Sequence, residues 1–461
     1  MGTLSLLLPT PPPSGEIYFA GGYDFAPLPA DPKRSDSTLT FSRSDHDSGF
    51  VMAPWMVPDY GPITISSATL RQRPEPYRLS LELLRGKLNS LRNQTAEWSE
   101  IGLDLVPAFR TQLSDLNKRF GRIATDDDPA RIDADASQCL GDAVALSDLL
   151  VETYTDQVFR TRHQSESKIR TAFGCRMTGS TPMDAAADEA YRRAFNAVRL
   201  QPDWSAIEAH QGEFDWSAFD SLVGWALTSG LNVSVGPIVD LRPGKLPAWL
   251  REWQGDWASI AAYACEFTEL VMVRYGERIG IWQVVSGFNH SNAAGLVEDD
   301  RLRLAARLLD AARQIDKEGE LIVGLCQPWG EYRSHPETNY SPLLFADTLL
   351  RAGIRAAGFE LDIVETGESP SHPRDALEVV RLLDNFGALG LPLEIGLGST
   401  ITPTSPSTDR IARVAAVAAC MPHVRGVFYN SWFDAQTGLF PPAGPTPLLK
   451  RLESIRINHL S

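Results

Sequence analysis

Carboxyl and aromatic side chains gather at the ends of two apolar runs in the C-terminal half of this 461-residue chain. Trp329, Glu331 and Tyr332 follow one run, and Glu360 and Asp362 stand two residues apart in the next. Residues two apart on a β-strand face the same side, so these last two carboxyl groups are predicted to share one face. Carboxyl groups that face one cleft can act as general acid, general base or nucleophile.

Further polar and aromatic residues stand in the same position after other apolar runs. Asn289 and His290 follow one of these runs, and Asn430 and Trp432 follow another. Aromatic rings offer flat apolar faces, while amide and imidazole groups donate and accept hydrogen bonds. Together with Trp329 and Tyr332, these residues are predicted to bind a hydroxyl-rich ligand such as a sugar.

The positions of these residues follow from an alternation of short apolar segments with amphipathic helices over residues 168–461. Eight parallel strands, each followed by a helix, make up a (β/α)8 TIM barrel in about 250 residues. We therefore predict an α/β fold of this type. Barrel enzymes place their reactive groups at the C-terminal ends of the strands, which is where the carboxyl and aromatic residues fall.

Three other patterns precede the predicted barrel. Residues 1–15 are rich in proline and serine, which predicts a disordered tail. Residues 16–75 contain short β-like runs separated by glycine and proline, which predicts a small β-rich module. Residues 76–167 have the periodicity of helices and predict a helical region, a hairpin packed on the barrel.

One helix of this region carries a narrow apolar stripe. Leu81, Leu84, Leu88, Leu91, Thr95 and Trp98 are separated by alternating steps of three and four residues. This spacing places them on one helix face. The stripe fits packing within the chain, and the alternative is a coiled coil that joins two copies into a homo-oligomer.

Composition argues against several classes of partner. The formal net charge of -15 disfavours nucleic acid and anionic membrane surfaces, whereas a neutral carbohydrate meets no electrostatic barrier. No apolar run approaches the roughly 18 residues of a membrane span. The N-terminus lacks the basic segment and apolar core of a signal peptide, which predicts a cytoplasmic protein.

Metal and cofactor motifs are absent from the sequence. The five cysteines lie far apart with no C-x-x-C pair, which favours reduced thiols over disulfides or a zinc site. No G-x-x-x-x-G-K phosphate loop occurs. We expect no cofactor and no metal ion.

Three stretches resemble motifs of the family-ten glycoside hydrolases, whose members typically cleave xylan. Residues 204–216 are similar to the family's W-D-A-x-E-P-x-x-G-x-F-x-W/F segment. Residues 236–240 and 246–249 are similar to G-H-x-L-V-W-H and L-P-x-W, and residues 281–285 to the strand W-D-V-V-N-E. The resemblance implies a (β/α)8-barrel, and it implies that Glu208 belongs to a loop that braces the barrel.

The chain departs from this family at the residues that carry its catalysis. The resemblance implies a general acid/base glutamate after the fourth strand, where this chain has Gly287. It implies a nucleophilic glutamate on the seventh strand, where Leu397 stands, and Glu394 three residues earlier is expected to face away from the barrel interior. Pro237 replaces a sugar-binding histidine. The family's own mechanism is therefore not expected here.

Two classes of function remain. The first is a glycoside hydrolase-like protein that acts on a poly- or oligosaccharide with relocated carboxylates. Glu331 would be the general acid, Glu360 the nucleophile or base, and Asp362 would tune it. The alternative is a catalytically inactive carbohydrate-binding pseudoenzyme, or a structural or assembly protein. In that case Glu360 and Asp362 would pair with Arg199 or another barrel arginine.

Overall fold

The fold is taken from a computed structural model of the chain. It describes residues 2–22, 26–44, 47–179, 183–290, 292–330, 338–365, 373–399 and 405–461. Contacts divide the chain into two compact units that are interleaved along the sequence. The first comprises residues Met1–Gln164, Glu365–Leu382 and Pro403–Val417, and the second comprises Ser165–Val364, Leu383–Thr402 and Ala418–Ser461.

The first unit begins with a β-rich module. Its strands are β1 Gly2–Leu7, β2 Tyr18–Gly21, β3 Ala26–Pro27, β4 Asp31–Arg34, β5 Thr38–Arg43, β6 Phe50–Val57, β7 Gly61–Ser66 and β8 Tyr77–Arg78. They form two four-stranded sheets, ordered β4-β5-β1-β8 and β3-β2-β6-β7. The predicted β-rich module is thus present.

The disordered tail predicted over residues 1–15 is wrong for its first part. Strand β1 pairs with β5 in antiparallel register and with β8 in parallel register. Leu4 and Leu6 of β1 are buried, because alternate residues of the strand face the core of the module. The prolines that follow hid this alternation in the sequence.

Three helices complete the N-terminal part of the first unit: α1 Leu79–Glu100, α2 Pro107–Ala124 and α3 Pro129–Arg162. The predicted stripe of α1 is buried except for its first residue, Leu81, which is half-buried. Trp98 stacks on Tyr154 of α3 with ring centroids 4.0 Å apart. Helix α3 begins at a proline, after the side chain of Asp128 accepts hydrogen bonds from the amides of Ala130 and Arg131. The apolar stripe therefore packs within the chain.

The second unit contains the strands of a closed barrel. They are β9 Ala172–Met177, β10 Ala197–Leu200, β11 Asn232–Val235, β12 Val239–Asp240, β13 Ile281–Ser286, β14 Glu320–Cys326, β15 Gly358–Glu365, β16 Leu393–Ser399 and β17 Val424–Tyr429. Strand β9 pairs in parallel with both β10 and β17, and Val235 of β11 pairs with Trp282 of β13. These pairings close a barrel of eight parallel strands, with the short β12 beside β13. The predicted (β/α)8 fold is confirmed.

Helices alternate with these strands along the chain. They are α4 Ala185–Ala194, α5 Trp204–Ile207, α6 Ser217–Thr228, a 3-10 helix Ala248–Trp253, α7 Trp257–Tyr275, α8 Glu298–Ile315, α9 Pro342–Arg351, α10 Ala376–Gly387, α11 Ser405–Cys420 and α12 Pro447–His459. The early parts of α10 and α11 belong by their contacts to the first unit. No helix among the described residues is both long enough and apolar enough to span a membrane. All five cysteines are free thiols.

The family-like segments brace the barrel as expected. Glu208 accepts hydrogen bonds from the indole of Trp204 at 2.7 Å and from the amide of Gly212 at 2.9 Å. The indole of Trp249 donates to the carbonyl oxygen of Glu208 at 3.0 Å. These contacts tie the first and second motif regions together, away from the carboxyl groups considered below.

Candidate functional site

The interior of the barrel is filled by a charged layer that centres on Arg199 of β10. Its guanidinium group forms ion pairs with Glu360 of β15 and Glu394 of β16, and its Nε donates to Ser234 of β11 at 3.1 Å. Arg199 and Glu360 have no exposed side-chain surface. Four strands are thus joined through one arginine, and this layer is sealed from solvent.

A second charged layer lies toward the C-terminal ends of the strands. Arg176 of β9 pairs with Glu360 and also with Asp362, the latter at 3.2 Å. Asp362 in turn pairs with Arg242 at 2.7 Å, and Arg242 pairs with Asp240 at 2.6 Å. Arg242 has a quarter of its side chain exposed, so it is the charged group of this layer that reaches the barrel mouth.

Glu360 and Asp362 form ion pairs with barrel arginines in the structure. This pairing was one of the alternatives that the sequence left open. The two carboxyl groups do share one face of β15, as predicted, because both contact Arg176. Their counterions come from β9, β10 and the segment after β12, far away in sequence. Strand periodicity alone cannot identify such partners.

Arginine neighbours keep the paired carboxyl groups ionised. Burial by itself would raise the pKa of Asp362, but Arg176 and Arg242 outweigh this effect and hold the pKa below its usual value. Burial likewise opposes ionisation of Glu394, and Arg199 and Arg425 lower its pKa. Neither group can carry a proton near neutral pH, so neither can serve as a general acid.

A side chain is disfavoured at Gly287, where the resemblance places the family's acid/base residue. Gly287 follows β13 with a φ of +78°, a conformation that L side chains rarely adopt. A Cβ atom there would lie 3.1 Å from Cγ of Arg242 and 3.3 Å from a carboxyl oxygen of Asp240. The Arg242–Asp240 pair therefore occupies the space next to this position.

The inward face of β16, the seventh barrel strand, carries glycines on both sides of Leu397, where the resemblance places the nucleophile. A Cβ at Gly396 would lie 2.5 Å from Asp362 Oδ1, and one at Gly398 would lie 2.9 Å from Cβ of Asn430. Both glycines therefore face the interior, and Leu397 between them faces outward by strand alternation. The expectation that Glu394 faces outward is wrong, since it lies two residues from Gly396 and pairs with Arg199.

Asn430, at the end of β17, belongs to the mouth of the barrel. Its Nδ2 donates to Asp362 Oδ1 at 3.1 Å, and this partner fixes the orientation of the amide because a carboxylate can only accept. Its buried Oδ1 has no partner among the described residues. The same holds for Oε1 of Gln327, which follows β14 with a φ of +45°. Both atoms are acceptors that require a donor from outside this set.

Two predicted binding residues have structural roles. Asn289 is buried and bridges β13 to β14, because its Nδ2 donates to the carbonyl oxygen of Cys326 at 2.7 Å and its Oδ1 accepts from the amide of Cys326 at 3.0 Å. Trp432 is 2% exposed and packs against Phe440 and Tyr191, with ring centroids 5.5 and 4.9 Å away. Its ring faces the aromatic core and offers no surface to a ligand in this conformation.

The remaining predicted residues lie around the mouth or outside the described part of the chain. His290 and Trp329 are half-buried and follow β13 and β14. Glu331 and Tyr332 lie outside the described residues, so the separation of Glu331 from Glu360 is not defined. Among the described residues, Glu360, Asp362 and Asn430 are thus brought together.

Sequence reasoning missed Arg176, Arg242, Asp240 and Gln327. Asp240 and Arg242 stand at the end of a family-like motif, which was a usable signal for the mouth. Cys326, next to Gln327, is buried, and burial raises the pKa of its thiol to about 11, so it is not a thiolate nucleophile. No cluster of three or more His, Cys, Asp and Glu side chains in the described ranges is arranged to hold a metal ion.

Comparison with known proteins agrees with the barrel. Residues 162–303 match the family model described as glycosyl hydrolase family 10. Solved structures with a similar fold include a family-ten glycoside hydrolase from Paenibacillus barcinonensis, with 14% identity over 64% of this chain and 97% of that chain and a TM-score of 0.50. At this identity the likeness shows the fold alone.

Two xylanases show a similar degree of likeness. Native xylanase 10B from Thermotoga maritima has 16% identity over 63% of this chain and 95% of that chain, with a TM-score of 0.49. A family-ten xylanase from Thermobacillus composti has 16% identity over 65% and 98%, with a TM-score of 0.48. The resemblance of the barrel to family-ten glycoside hydrolases is confirmed, and the catalytic consequences are a separate question.

Proposed function

We propose that the barrel of this chain binds a neutral oligosaccharide at its mouth and does not cleave it. The observation that carries the proposal is the residue type at the two positions to which the resemblance assigns the family's glutamates: Gly287 stands at one, and Leu397, between the inward Gly396 and Gly398, stands at the other. Glycoside hydrolysis requires two carboxyl groups beside the scissile bond.

The buried carboxyl groups of Glu360 and Asp362 are not suited to replace the two glutamates of the family mechanism. Glu360 is fully buried between two arginines, whereas a nucleophile must reach the anomeric carbon of a sugar. Asp362 is held ionised by Arg176 and Arg242, so it has no proton to donate. Removing such a carboxylate from its arginines to perform chemistry would leave buried charges without partners, which costs several kcal/mol.

A neutral hydroxyl-rich ligand fits the polar groups of the mouth. The buried acceptors Asn430 Oδ1 and Gln327 Oε1 both need donors, and sugar hydroxyl groups can supply them. The exposed part of Arg242 can donate to a ring or hydroxyl oxygen, while its charge is already balanced by Asp240 and Asp362. Since several similar structures are xylanases, xylo-oligosaccharides are the first ligands to test.

Hydrolysis by relocated carboxylates is the second candidate. It requires Glu331 as general acid and Glu360 as nucleophile or base, with Asp362 tuning it. Glu331 stands two residues after Trp329, at the end of a barrel strand where such enzymes keep their reactive groups. This position is what favours the second candidate.

The test compares cleavage and binding on one set of ligands. The protein is incubated with xylo-, gluco-, manno- and galacto-oligosaccharides, products are sought by mass spectrometry, and binding is measured by calorimetry. We expect saturable binding of at least one series and no products. The variant Asn430→Ala should weaken binding about tenfold, because a buried hydrogen bond to the ligand contributes about 1–1.5 kcal/mol.

Glu331→Gln separates the two candidates. Products from the parent chain that disappear in this variant would establish hydrolysis and overturn the proposal. No binding of any oligosaccharide would reject both candidates and favour an assembly role, for which light scattering would have to show a homo-oligomer. That association through the helical region stays a prediction.

A further inference from the structure

A cavity of about 350 Å³ lies within the first unit, and its lining shares no residue with the barrel mouth. One wall is helix α1, another is the end of β7 with residues 66–69, and a third is the start of α10. Its volume is near the lower end of the range of about 300–1,000 Å³ typical of small-ligand sites. The lining is mainly hydroxyl, amide and charged side chains, which distinguishes it from a packing void.

Helix α1 presents a polar face to this cavity. Gly86, Ser90, Asn93 and Glu97 recur at steps of four, three and four residues, so they lie along one side of the helix. Gly86 allows the close approach of the helix to β7, because a Cβ there would lie 2.2 Å from the carbonyl oxygen of Ser66. The apolar stripe of α1 packs on another side of the helix, so this polar face is not part of the apolar core.

Lys87 lines this cavity with a nearly buried ammonium group. The side chain is 2% exposed, and Nζ donates to Asp375 at 2.8 Å and to Ser147 at 2.9 Å. An ammonium group has three donors, and the third has no partner among the described residues. Buried lysine is rare unless it is fully paired, so this donor calls for an acceptor inside the cavity.

The charges around the cavity nearly cancel, and Glu97 is the one carboxylate of the lining without an ion pair among the described residues. Lys87 is balanced by Asp375, and Arg381 is balanced by Glu378 at 3.1 Å. Ser90 donates to Glu378 over a long 3.4 Å, so this contact yields readily to a ligand hydroxyl. Paired charges with amides and hydroxyl groups between them suit a neutral molecule that both donates and accepts.

We propose that this cavity is a binding site for a neutral mono- or disaccharide. A ligand hydroxyl oxygen accepts the third hydrogen of Lys87, and neighbouring hydroxyl groups bond Ser90 and Asn93. The site is independent of the barrel mouth, and it holds whether or not the barrel binds an oligosaccharide.

The experiment fills the cavity without touching the Lys87–Asp375 pair. Ser90→Leu places an apolar side chain in the cavity, and Asn93→Trp closes its exposed rim. Ser114→Leu makes the same change as the first variant at an exposed position of α2 and serves as the matched control. All full-length variants are made in the Asn430→Ala background, so that binding at the barrel mouth is weakened, and they are titrated with D-xylose, D-glucose and D-glucuronate by saturation-transfer NMR.

We expect saturable binding of at least one neutral sugar and at least tenfold weaker binding of D-glucuronate. Ser90→Leu and Asn93→Trp should each lower the affinity for the neutral sugar at least tenfold. Binding should be unchanged in Ser114→Leu. Two results overturn the inference: no saturable binding of any neutral probe, or binding that survives both cavity variants although the barrel mouth is weakened by Asn430→Ala. The unfolding midpoint of each variant shows whether a loss reflects unfolding, and Asn93→Trp, at an exposed position, supplies the readout if Ser90→Leu does not fold.

Discussion

At the scale of single residues, Glu360 is the most informative side chain. It is fully buried, and both of its arginine partners are buried with it. Removing one member of such a pair leaves an uncompensated charge, which typically costs about 3–5 kcal/mol. Glu360→Gln is therefore expected to lower the free energy of unfolding by about that amount in chemical denaturation. Glu318→Gln, at an exposed position, is the matched variant and should be as stable as the parent. A Glu360→Gln protein as stable as the parent would contradict the structural role of this network.

Gly287 offers a second test at this scale. Gly287→Glu places a glutamate where the resemblance puts the family's acid/base residue, but the positive φ and the nearby Arg242 disfavour any side chain there. We expect destabilisation of about 1–3 kcal/mol, as for other residues held in a rare backbone conformation, and no products from xylo-oligosaccharides. Gly444→Glu, at another positive-φ glycine with open space around it, controls for backbone strain alone. Equal destabilisation of the two variants would show that Arg242 does not crowd the site.

The orientation of single carboxyl side chains could be predicted from the sequence only in part. Strand periodicity placed Glu360 and Asp362 on one face, since it depends only on neighbours along the chain. It failed for Glu394, because its orientation was counted from Leu397, which itself faces outward; β16 also has a register irregularity between Leu393 and Glu394. The arginine partners of these three carboxyl groups lie up to 195 residues away in sequence, and only the closed barrel brings them together.

At the scale of elements, the alternation of strands and helices was predictable because each segment carries its own periodicity. Strand β1 was not, because its alternation spans only six residues and prolines follow it directly. The roles of α10 and α11 were not predictable either. They follow barrel strands in sequence, yet their early residues contact the first unit through Asp375 and Arg413.

Asp148 of α3 links three elements and gives a pH prediction. It pairs with Arg413 of α11 at 2.8 Å and accepts from Tyr60 at 3.3 Å, and Lys87 and Asp375 act on it electrostatically. Burial raises its pKa to about 7, and Arg413 only partly opposes this. The folded state therefore keeps a proton that the unfolded chain releases near pH 4. The stabilisation that this proton contributes is fully present below about pH 4 and is lost as the pH rises through 7. The loss in free energy of unfolding is at most about 4 kcal/mol.

Chemical denaturation at pH 5 and pH 8 tests this link. Asp148→Asn keeps the shape of the side chain but cannot titrate. The free energy of unfolding of the variant, relative to that of the parent, should therefore be higher at pH 8 than at pH 5. A constant difference between the two proteins at both values would mean that Asp148 is already ionised in the folded state at pH 5.

At the scale of the whole molecule, the two compact units are interleaved in sequence, which makes the apparent boundary near residue 165 misleading. Residues 365–382 and 403–417 lie within the barrel half of the sequence but belong by contacts to the first unit. Their buried groups depend on that unit, since Asp375 is paired with Lys87 and Arg413 with Asp148. A chain cut at residue 165 would retain Asp375 and Arg413 without these partners.

We therefore expect a fragment of residues 165–461 to be markedly less stable than the whole chain, or insoluble. The full chain should unfold in one cooperative calorimetric transition, because neither unit is complete in a continuous stretch of sequence. In the full chain, Lys87→Met should reproduce part of this loss, at about 3–5 kcal/mol, because it leaves Asp375 buried and unpaired. A soluble 165–461 fragment with the melting temperature of the full chain would instead show that the barrel folds alone and that the interleaved segments add nothing to its stability.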